Sequence, residues 1–557
     1  MQTKLSRRTF IKTASVAGSA LFMGISLSNK FDLIIKNAKI VDGSGRPVYK
    51  NDIGIIGNKV VAIDDLANSS ADIILDVAGK HVSPGFIDIH THTDKELLVN
   101  NKAESKIRQG VTTEVGGNCG SSVFPLLPKD IKDMRTSGLE KYGIEMKWKN
   151  IDEFFSALEK NKTSINYASF TGHGDIRAFT VGRNDVEPTK DQLKKMKWLI
   201  SESMEMGSLG LSTGLEYSPG SYAKTDELIE LCKTVASKNG VYATHMRNED
   251  DTVEEAIQEA LDIAEYSKVS LQISHLKACN KANWHKVENM LRMIGDANKS
   301  GIPVHADRYP YIAYGTGLSA FLPLWARQGN TDDVIERLKD KNQIKKIYEY
   351  TDSRGIRIGG WDRVVISSCS EKHNKKWEGM SIKDCAGECN KSELDFIKEL
   401  LIEERLNPGI VGFAMDEKNL EKVLADNLVM AGSDGTAVAP YGKLGTGKPH
   451  PRYYGTFPRV IGKFCREDKI FDLQTAIKKM TLMPAEKLNL KNRGQIKKGY
   501  YADLVVFNFD NVIDKATFKD PHNYPTGIEK VIVNGKLTIN DGVHTGALNG
   551  DIIRHKT

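Results

Sequence analysis

The chain has 557 residues, of which 40% are hydrophobic, 8% aromatic and 27% charged. These proportions are typical of an ordinary globular enzyme and exclude a disordered, collagen-like or polytopic membrane protein. The 78 basic residues exceed the 72 acidic ones by six, which is too small an excess for this length to indicate a nucleic-acid partner.

The first thirty residues have the composition of an export signal. Arg7 and Arg8 precede an apolar run of small residues at 13–27, and no acidic residue occurs before Asp32. This pattern is typical of a secretory signal, and the paired arginines resemble the twin-arginine motif. We therefore predict a signal peptide over residues 1–30 and a periplasmic or otherwise exported protein. Because the apolar run is shorter than the roughly twenty residues that span a bilayer, no stable membrane anchor is expected.

Residues 31–83 consist of short segments in which apolar and polar residues alternate, separated by turn signals. The same pattern occurs again at residues 488–557. The segments GIIGNKVVAI and KVIVNGKLTI, one from each end of the chain, even resemble each other. Such spacing predicts antiparallel strands. We expect the two ends to form one discontinuous β-sandwich domain.

Residues 84–487 alternate short apolar runs with longer amphipathic stretches, as a parallel α/β barrel or doubly wound sheet requires. About a hundred residues near 318–420 are too many for a plain crossover, so we predict an inserted lid subdomain there. The rest predicts a (β/α)8 barrel, which needs eight strands. The candidates are PGFIDIH, TTEVGGN, INYASFT, SLGLSTG, GVYATH, VSLQISH, IPVHADRYP and NLVMAGSD.

Side chains with metal-binding chemistry stand at the ends of these strands. His90 and His92 are two residues apart in an extended run, so their side chains project from one face. The C-terminal strand ends of a barrel form one rim, where such folds place their active sites. A mixture of nitrogen, thiolate and carboxylate donors suits a borderline divalent ion, zinc above all. The rim candidates are His90, His92, Cys119, His245, His275 and Asp434.

The chain resembles the amidohydrolase superfamily and, within it, the N-acyl-D-amino-acid deacylase (D-aminoacylase) family. The resemblance rests on motifs that follow one another in the family order over nearly four hundred residues. They are PGFIDIHTHTD (Pro84 to Asp94), GGNCG (Gly116 to Gly120), GHGDIR (Gly172 to Arg177), GLEYSPG (Gly214 to Gly220), THMRNE (Thr244 to Glu249), SHLK (Ser274 to Lys277), DRYPY (Asp307 to Tyr311), GSDG (Gly432 to Gly435) and HPRYYGTFPR (His450 to Arg459).

The resemblance implies a division of roles among the rim candidates. Cys119, His245 and His275 would hold one tightly bound zinc. The other three would surround a possible second, weaker position, which Cys119 could bridge. Asp434 would be the general base and acid toward a metal-activated water, and Tyr217 could donate a hydrogen bond to the oxyanion.

A deacylase must also hold the α-carboxylate of its substrate, and Lys277, Tyr309 and Arg452 match family positions that contact substrate. The implied reaction is zinc-dependent hydrolysis of N-acyl-D-amino acids to a carboxylate and a free D-amino acid. Two enzyme alternatives share the same metal chemistry: a dipeptidase specific for a D-residue and a cyclic amidohydrolase. A non-catalytic binding protein on a degenerate barrel would lack ligands, and none is missing from the sequence.

Overall fold

The computed structural model describes residues 30–126, 132, 135–136 and 138–556. The signal predicted for the N-terminus lies outside these residues, except for Lys30, and stays a prediction. Within the part of the chain that is described, no helix has both the length and the apolar character needed to cross a membrane.

The described chain begins with five strands of a β-domain. β1 pairs antiparallel with β2 and β2 with β3, whereas β4 and β5 run parallel to the two halves of β1. Leu33, Ile35, Ile53 and Ile55 face a core that belongs to this domain alone. The strands are β1 (Lys30–Ile40), β2 (Tyr49–Ile56), β3 (Lys59–Asp64), β4 (Ser70–Asp76) and β5 (His81–Pro84).

A barrel of parallel strands follows, and its third strand is split at Phe170 into two short pieces. Hydrogen bonds join the first three strands in one ladder and the others in a second ladder. The first seven strand positions are β6 (Phe86–Asp88), β7 (Val111–Gly116), β8 (Asn166–Ser169) with β9 (Thr171–Gly172), β10 (Gly210–Gly214), β11 (Val241–His245), β12 (Ser270–Ile273) and β13 (Val304–Arg308).

Alternation along a strand decides which side chains face the barrel interior. Val241 and Ala243 of β11 pack in the barrel core, whereas Tyr242 between them packs against the helical layer. His245 continues the inward series at the end of the strand. The helices of this part are α1 (Glu96–Val99), α2 (Glu104–Ile107), α3 (Ile151–Asn161), α4 (His173–Thr180), α5 (Lys190–Glu205), α6 (Thr225–Ser237), α7 (Val253–Ser267) and α8 (Val287–Lys299).

An inserted subdomain with its own hydrophobic core separates the seventh barrel strand from the eighth. Its antiparallel sheet has the order β14-β16-β15 and begins slightly before the predicted residue 318. The strands are β14 (Tyr314–Gly317), β15 (Val364–Ser368) and β16 (Gly409–Gly412). The helices are α9 (Thr331–Lys339), α10 (Ile344–Ile358), α11 (Ile382–Glu388), α12 (Glu393–Glu403) and α13 (Glu417–Ala425).

The last barrel strand, β17 (Val429–Ala431), pairs with β13, and a bridge between Thr91 and Gly435 joins the ends of the eighth and first strands. The chain then returns to the β-domain, where β18 pairs antiparallel with β5. The remaining elements are α14 (Arg452–Arg459), a π-helix (Val460–Glu467), α15 (Leu473–Met480), α16 (Leu482–Lys487), β18 (Leu504–Phe507), β19 (Ile528–Val533), β20 (Lys536–Asn540) and β21 (Val543–His544).

The two chain ends thus share one sheet, in which nine strands of the described residues are hydrogen-bonded together. Lys59 at the start of β3 also bridges to Tyr501, so the sheet curls back on itself around its apolar core. The predicted class, a (β/α)8 barrel with a discontinuous small β-domain, is confirmed.

Candidate metal and substrate site

Four of the predicted rim residues bring their donor atoms together above the barrel core. The Cys119 Sγ lies 3.3 Å from His90 Nε2 and 3.5 Å from His275 Nε2. His245 Nδ1 lies 3.0 Å from His275 Nε2. These contacts join residues at or just beyond the ends of four different strands, as a shared rim requires.

The other two predicted rim residues adjoin this cluster. Asp434 Oδ1 lies 2.9 Å from His92 Nε2 and 3.4 Å from His90 Nε2. Buried Lys106 fixes the loop that carries Asp434. Its Nζ donates to Ser433 Oγ of that loop at 2.7 Å and to Asp88 Oδ2 of the first barrel strand at 2.8 Å. All six predicted residues therefore form one connected cluster.

The donor set fits zinc. Donor atoms of His90, Cys119, His275 and Asp434 all lie within 4.8 Å of one another. Burial opposes ionisation of the Cys119 thiol, but the imidazoles of His90 and His275 outweigh burial and hold its pKa well below the ordinary value. A thiolate is the form of cysteine that binds metal. Together with imidazole and carboxylate donors it forms a mixture that suits zinc.

Three donor residues have positive φ angles, which residues other than glycine rarely adopt. The φ angles are 51° at Cys119, 36° at His275 and 48° at Asp434. Such conformations cost on the order of 1–3 kcal/mol each and persist only where the surroundings enforce them. Here the Asp434 N–H donates to His90 O at 2.8 Å, and the His275 N–H donates to Asp307 Oδ1 at 2.9 Å. The strained turns direct these donors over the barrel.

Two of the histidines have carboxylate partners that the sequence analysis did not assign. His90 Nδ1 lies 2.9 Å from Asp307 Oδ1, and His275 Nδ1 lies 2.9 Å from Glu249 Oε1. In each ring the opposite nitrogen faces the donor cluster. For His90, such a carboxylate fixes the tautomer and raises the basicity of a metal-binding imidazole. His275 Nδ1 also lies 2.8 Å from Lys277 Nζ, so a carboxylate and an ammonium share that nitrogen. Asp307 and Glu249 lie inside the DRYPY and THMRNE motifs, which is the one signal that could have indicated them.

Asp434 also pairs with Arg452, whose Nη1 lies 2.8 Å from Asp434 Oδ2. Burial favours the protonated carboxyl, but the Arg452 charge outweighs burial and holds the pKa of Asp434 well below its ordinary value. Asp434 is therefore ionised at neutral pH. Arg452, at the start of α14, is placed by an N–H that donates to His450 Nδ1 at 3.0 Å.

The residues predicted to hold substrate lie beside each other. Lys277 Nζ donates to Glu249 Oε1 at 2.6 Å and lies 6.0 Å from the centre of the Tyr309 ring. The Arg452 guanidinium lies 4.6 Å from the same ring. The Tyr309 hydroxyl is buried and has no hydrogen-bond partner among the described residues. A buried polar group of this kind calls for an explanation, such as a ligand.

Tyr217 lies beside His245. Its ring centre lies 4.7 Å from that of His245, and its hydroxyl lies 3.3 Å from Thr316 Oγ1 of β14. Burial raises the pKa of Tyr217 well above the ordinary value, so the phenol stays protonated. It is able to donate a hydrogen bond at neutral pH.

One cavity of about 390 Å³ contains this chemistry. All the rim residues except His90 line it, together with Tyr217, Lys277 and Tyr309, whereas Arg452 does not. Phe321, Arg354 and Ile358 of the inserted subdomain also line it. Glu216, which the sequence analysis did not single out, also lines it. A cleft of this size, with a few convergent polar groups, takes a small molecule.

Fold and site together define a metal-dependent hydrolase barrel, and residues 391–539 match the family model Amidohydro_3, the amidohydrolase family. The chain is 34% identical over 537 residues to the D-aminoacylase of Alcaligenes xylosoxydans xylosoxydans, covering 95% of this chain and 99% of that protein. The chain belongs to the D-aminoacylase family of amidohydrolases. This finding confirms the family that the motifs indicate and makes the protein a hydrolase.

Two solved structures of similar proteins agree with this family assignment. The N-acyl-D-glutamate deacylase of Bordetella bronchiseptica, in complex with zinc and a phosphonate mimic of the tetrahedral intermediate, is 30% identical with a TM-score of 0.79. It covers 94% of this chain, which covers 100% of it. A second solved structure, of a D-aminoacylase, is 34% identical with a TM-score of 0.77 and the same coverage. That protein has a binuclear metal centre, in which one metal activates and the second metal attenuates.

Proposed function

We propose that this enzyme uses zinc to hydrolyse the amide bond of N-acyl-D-amino acids, releasing a carboxylate and a free D-amino acid. One observation carries the proposal: a thiolate, histidine and aspartate donor set shares a cavity with donors suited to an α-carboxylate. The relatives named above act on this class of substrate, which supports the assignment.

Cys119, His245 and His275 would hold the tight zinc, and the other rim residues would surround a second, weaker position. Bound there, zinc lowers the pKa of a water molecule and polarises the substrate carbonyl. Asp307 keeps the proton of His90 on Nδ1, the nitrogen that faces away from the donors. Glu249 and Lys277 together hold the His275 ring from its Nδ1 side.

The chain's own groups move the proton. Asp434 is ionised beside Arg452, so it takes a proton from the attacking water. It then gives that proton to the amide nitrogen, which leaves only as a protonated amine. The Tyr217 hydroxyl donates a hydrogen bond to the carbonyl oxygen as negative charge develops on it.

We assign the α-carboxylate of the substrate to Tyr309 and Arg452 as hydrogen-bond donors. Lys277 contributes its positive charge, because its ammonium already contacts Glu249 and His275 at three atoms. Arg452 Nε and Nη1 both lack a hydrogen-bond partner among the described residues. Nη1 forms an ion pair with Asp434, so Nε remains as a donor for substrate. The carbonyl at the metal donors, the carboxylate at these three groups and the side chain under the inserted subdomain are three separate contacts. Three contacts distinguish the two enantiomers of an α-carbon.

We expect kcat/KM to be at least tenfold higher for N-acetyl-D-amino acids than for their L-forms. Inversion costs a charged hydrogen bond, about 1.5–3 kcal/mol, and about 1.4 kcal/mol corresponds to a factor of ten. The measurement is amino-acid release from matched D and L pairs with several side chains. Dipeptides with a C-terminal D-residue and cyclic amides complete the panel. Equal rates on both enantiomers, or turnover of only the dipeptides or only the cyclic amides, would contradict the proposal.

A further inference from the structure

An arginine of the inserted subdomain reaches a metal-binding histidine through one carboxylate. Arg354 lies on α10, and its Nη2 donates to Glu216 Oε1 at 3.1 Å. The other oxygen of that carboxylate, Glu216 Oε2, lies 3.3 Å from His245 Nε2. A continuous set of contacts therefore runs from the subdomain to the donor cluster.

Glu216 is placed to orient His245. The two nitrogens of this ring have different neighbours: Nδ1 faces His275 Nε2 at 3.0 Å, and Nε2 faces Glu216. An imidazole that gives one nitrogen to a metal carries its proton on the other nitrogen and usually donates it to a carboxylate or carbonyl. Asp307 has this relation to His90. Glu216 is the corresponding partner of His245.

Arg354 holds Glu216 in that position. Its guanidinium also donates through Nη1 to Asp250 Oδ2 at 3.3 Å, so its fork joins carboxylates from two different barrel loops. The Arg354 side chain is only 16% exposed. A rigid planar fork fixes the orientation of its partners better than a flexible ammonium does. Arg327, also from the insertion, donates to the backbone carbonyl of Glu216 at 3.1 Å.

Other roles for Glu216 fit the contacts less well. Two groups of donors among the described residues converge closely enough to hold a metal, and the Glu216 carboxylate belongs to neither. The groups are His90, Cys119, His275 and Asp434, and His245, Glu249 and His275. A substrate contact is disfavoured because both oxygens are already engaged, one with His245 and one with Arg354. Glu249 Oε2 lies 3.9 Å from His245 Nε2, farther than Glu216 does. Glu216 is therefore the nearer carboxylate partner of that nitrogen.

We propose that Glu216 and Arg354 are positioning residues of the metal site, through which docking of the inserted subdomain sets the affinity for zinc. Glu216 acts on His245, and Arg354 acts through Glu216. The inserted subdomain then stabilises the geometry of the metal site in addition to lining the substrate cavity. This inference goes beyond the proposed function, because it rests on the donor geometry and not on the identity of the substrate.

The test measures zinc affinity by chelator competition on full-length purified protein. Glu216→Ala is expected to weaken zinc binding about tenfold to a hundredfold, the usual effect of losing such a partner. Arg354→Met is expected to weaken it by a smaller factor, roughly threefold or more, since Glu216 stays in place but loses its anchor. Glu216→Gln keeps the shape of the side chain and should fall between the parent and Glu216→Ala. In each variant, activity lost at low zinc should return with excess zinc.

Two comparisons separate positioning from a general loss of structure. Arg357 lies one turn further along α10 and pairs with Asp251 at 2.6 Å, so Arg357→Met removes a contact of the same helix without touching Glu216. We expect this control to bind zinc like the parent. The double variant Glu216→Ala/Arg354→Met should match Glu216→Ala alone within about twofold, because effects exerted through one group do not add.

Parental zinc affinity in Glu216→Ala and Glu216→Gln would overturn the inference. So would a double variant that shows the full product of the two single effects, or an Arg357→Met variant as weak as Arg354→Met. The outcome for the substrate is independent of these results. If the zinc affinities change as expected but the parent releases no D-amino acid, the proposed function fails and this inference stands.

Discussion

Replacement of Asp434 by alanine is expected to lower kcat about a hundredfold to ten-thousandfold, the usual loss on removal of a general base. The carboxylate is ionised because Arg452 Nη1 lies 2.8 Å from it, and it contacts His92 at 2.9 Å at the edge of the donor cluster. The residues proposed to hold the tight zinc are untouched by the change. The variant should therefore keep its tight zinc while it loses turnover.

Kinetics and elemental analysis on the same preparation test this expectation. Asp434→Asn serves as the matched variant, because it preserves the size of the side chain next to Arg452 but lacks a proton acceptor of comparable basicity. We expect it to be as inactive as Asp434→Ala. A parental kcat in either variant would remove Asp434 from the proton-transfer role, and loss of the tight zinc would move Asp434 into the tight site.

Replacement of Cys119 by alanine is expected to empty the tight zinc site and to abolish activity with it. Cys119 is the thiolate of the cluster, and its sulfur contacts His90 Nε2 and His275 Nε2 at 3.3 and 3.5 Å. Without it, only neutral imidazoles remain in the proposed tight site. We expect less than about a tenth of the parental zinc after dialysis, since ligand loss costs more than the tenfold to hundredfold typical of an outer partner.

Cys279 provides the control for this experiment. It lines the same cavity, but burial raises the pKa of its thiol to about 12, so it stays protonated and is a poor ligand. Cys279→Ala should keep its zinc and its activity. Full zinc content and parental activity in Cys119→Ala would exclude the thiolate from the metal site.

Much of the fold can be predicted from the pattern of apolar and polar residues within short segments of the sequence. The order of short apolar runs and longer amphipathic stretches is enough to place the barrel strands, because a strand covered on both faces is a short apolar run. The strand Val241–His245 is an example, since it is buried throughout and ends in a rim histidine. The split of the third strand at Phe170 has no comparable pattern, because it depends on how neighbouring strands close the barrel.

The sequence is enough to predict which residues donate to the metal, but not which charged residues pair with one another around them. The left-handed backbone at Cys119 and His275 occurs at residues that ordinarily avoid it, so no turn signal announces it. Arg354 and Glu216 are separated by 138 residues, and nothing in the local sequence of either indicates the other. Likewise, the motif HPRYYGTFPR predicts for Arg452 only a contact with the substrate carboxylate, whereas the structure also pairs it with Asp434.

Zinc titration of the metal-free enzyme tests the central claim most directly. The protein is stripped with a chelator, and amino-acid release from an N-acetyl-D-amino acid is measured as zinc is returned. If the thiolate and histidine donors hold the ion that the reaction needs, activity should rise in proportion to bound zinc and reach its maximum near one zinc per chain. Full activity in protein that carries almost no metal would contradict the account.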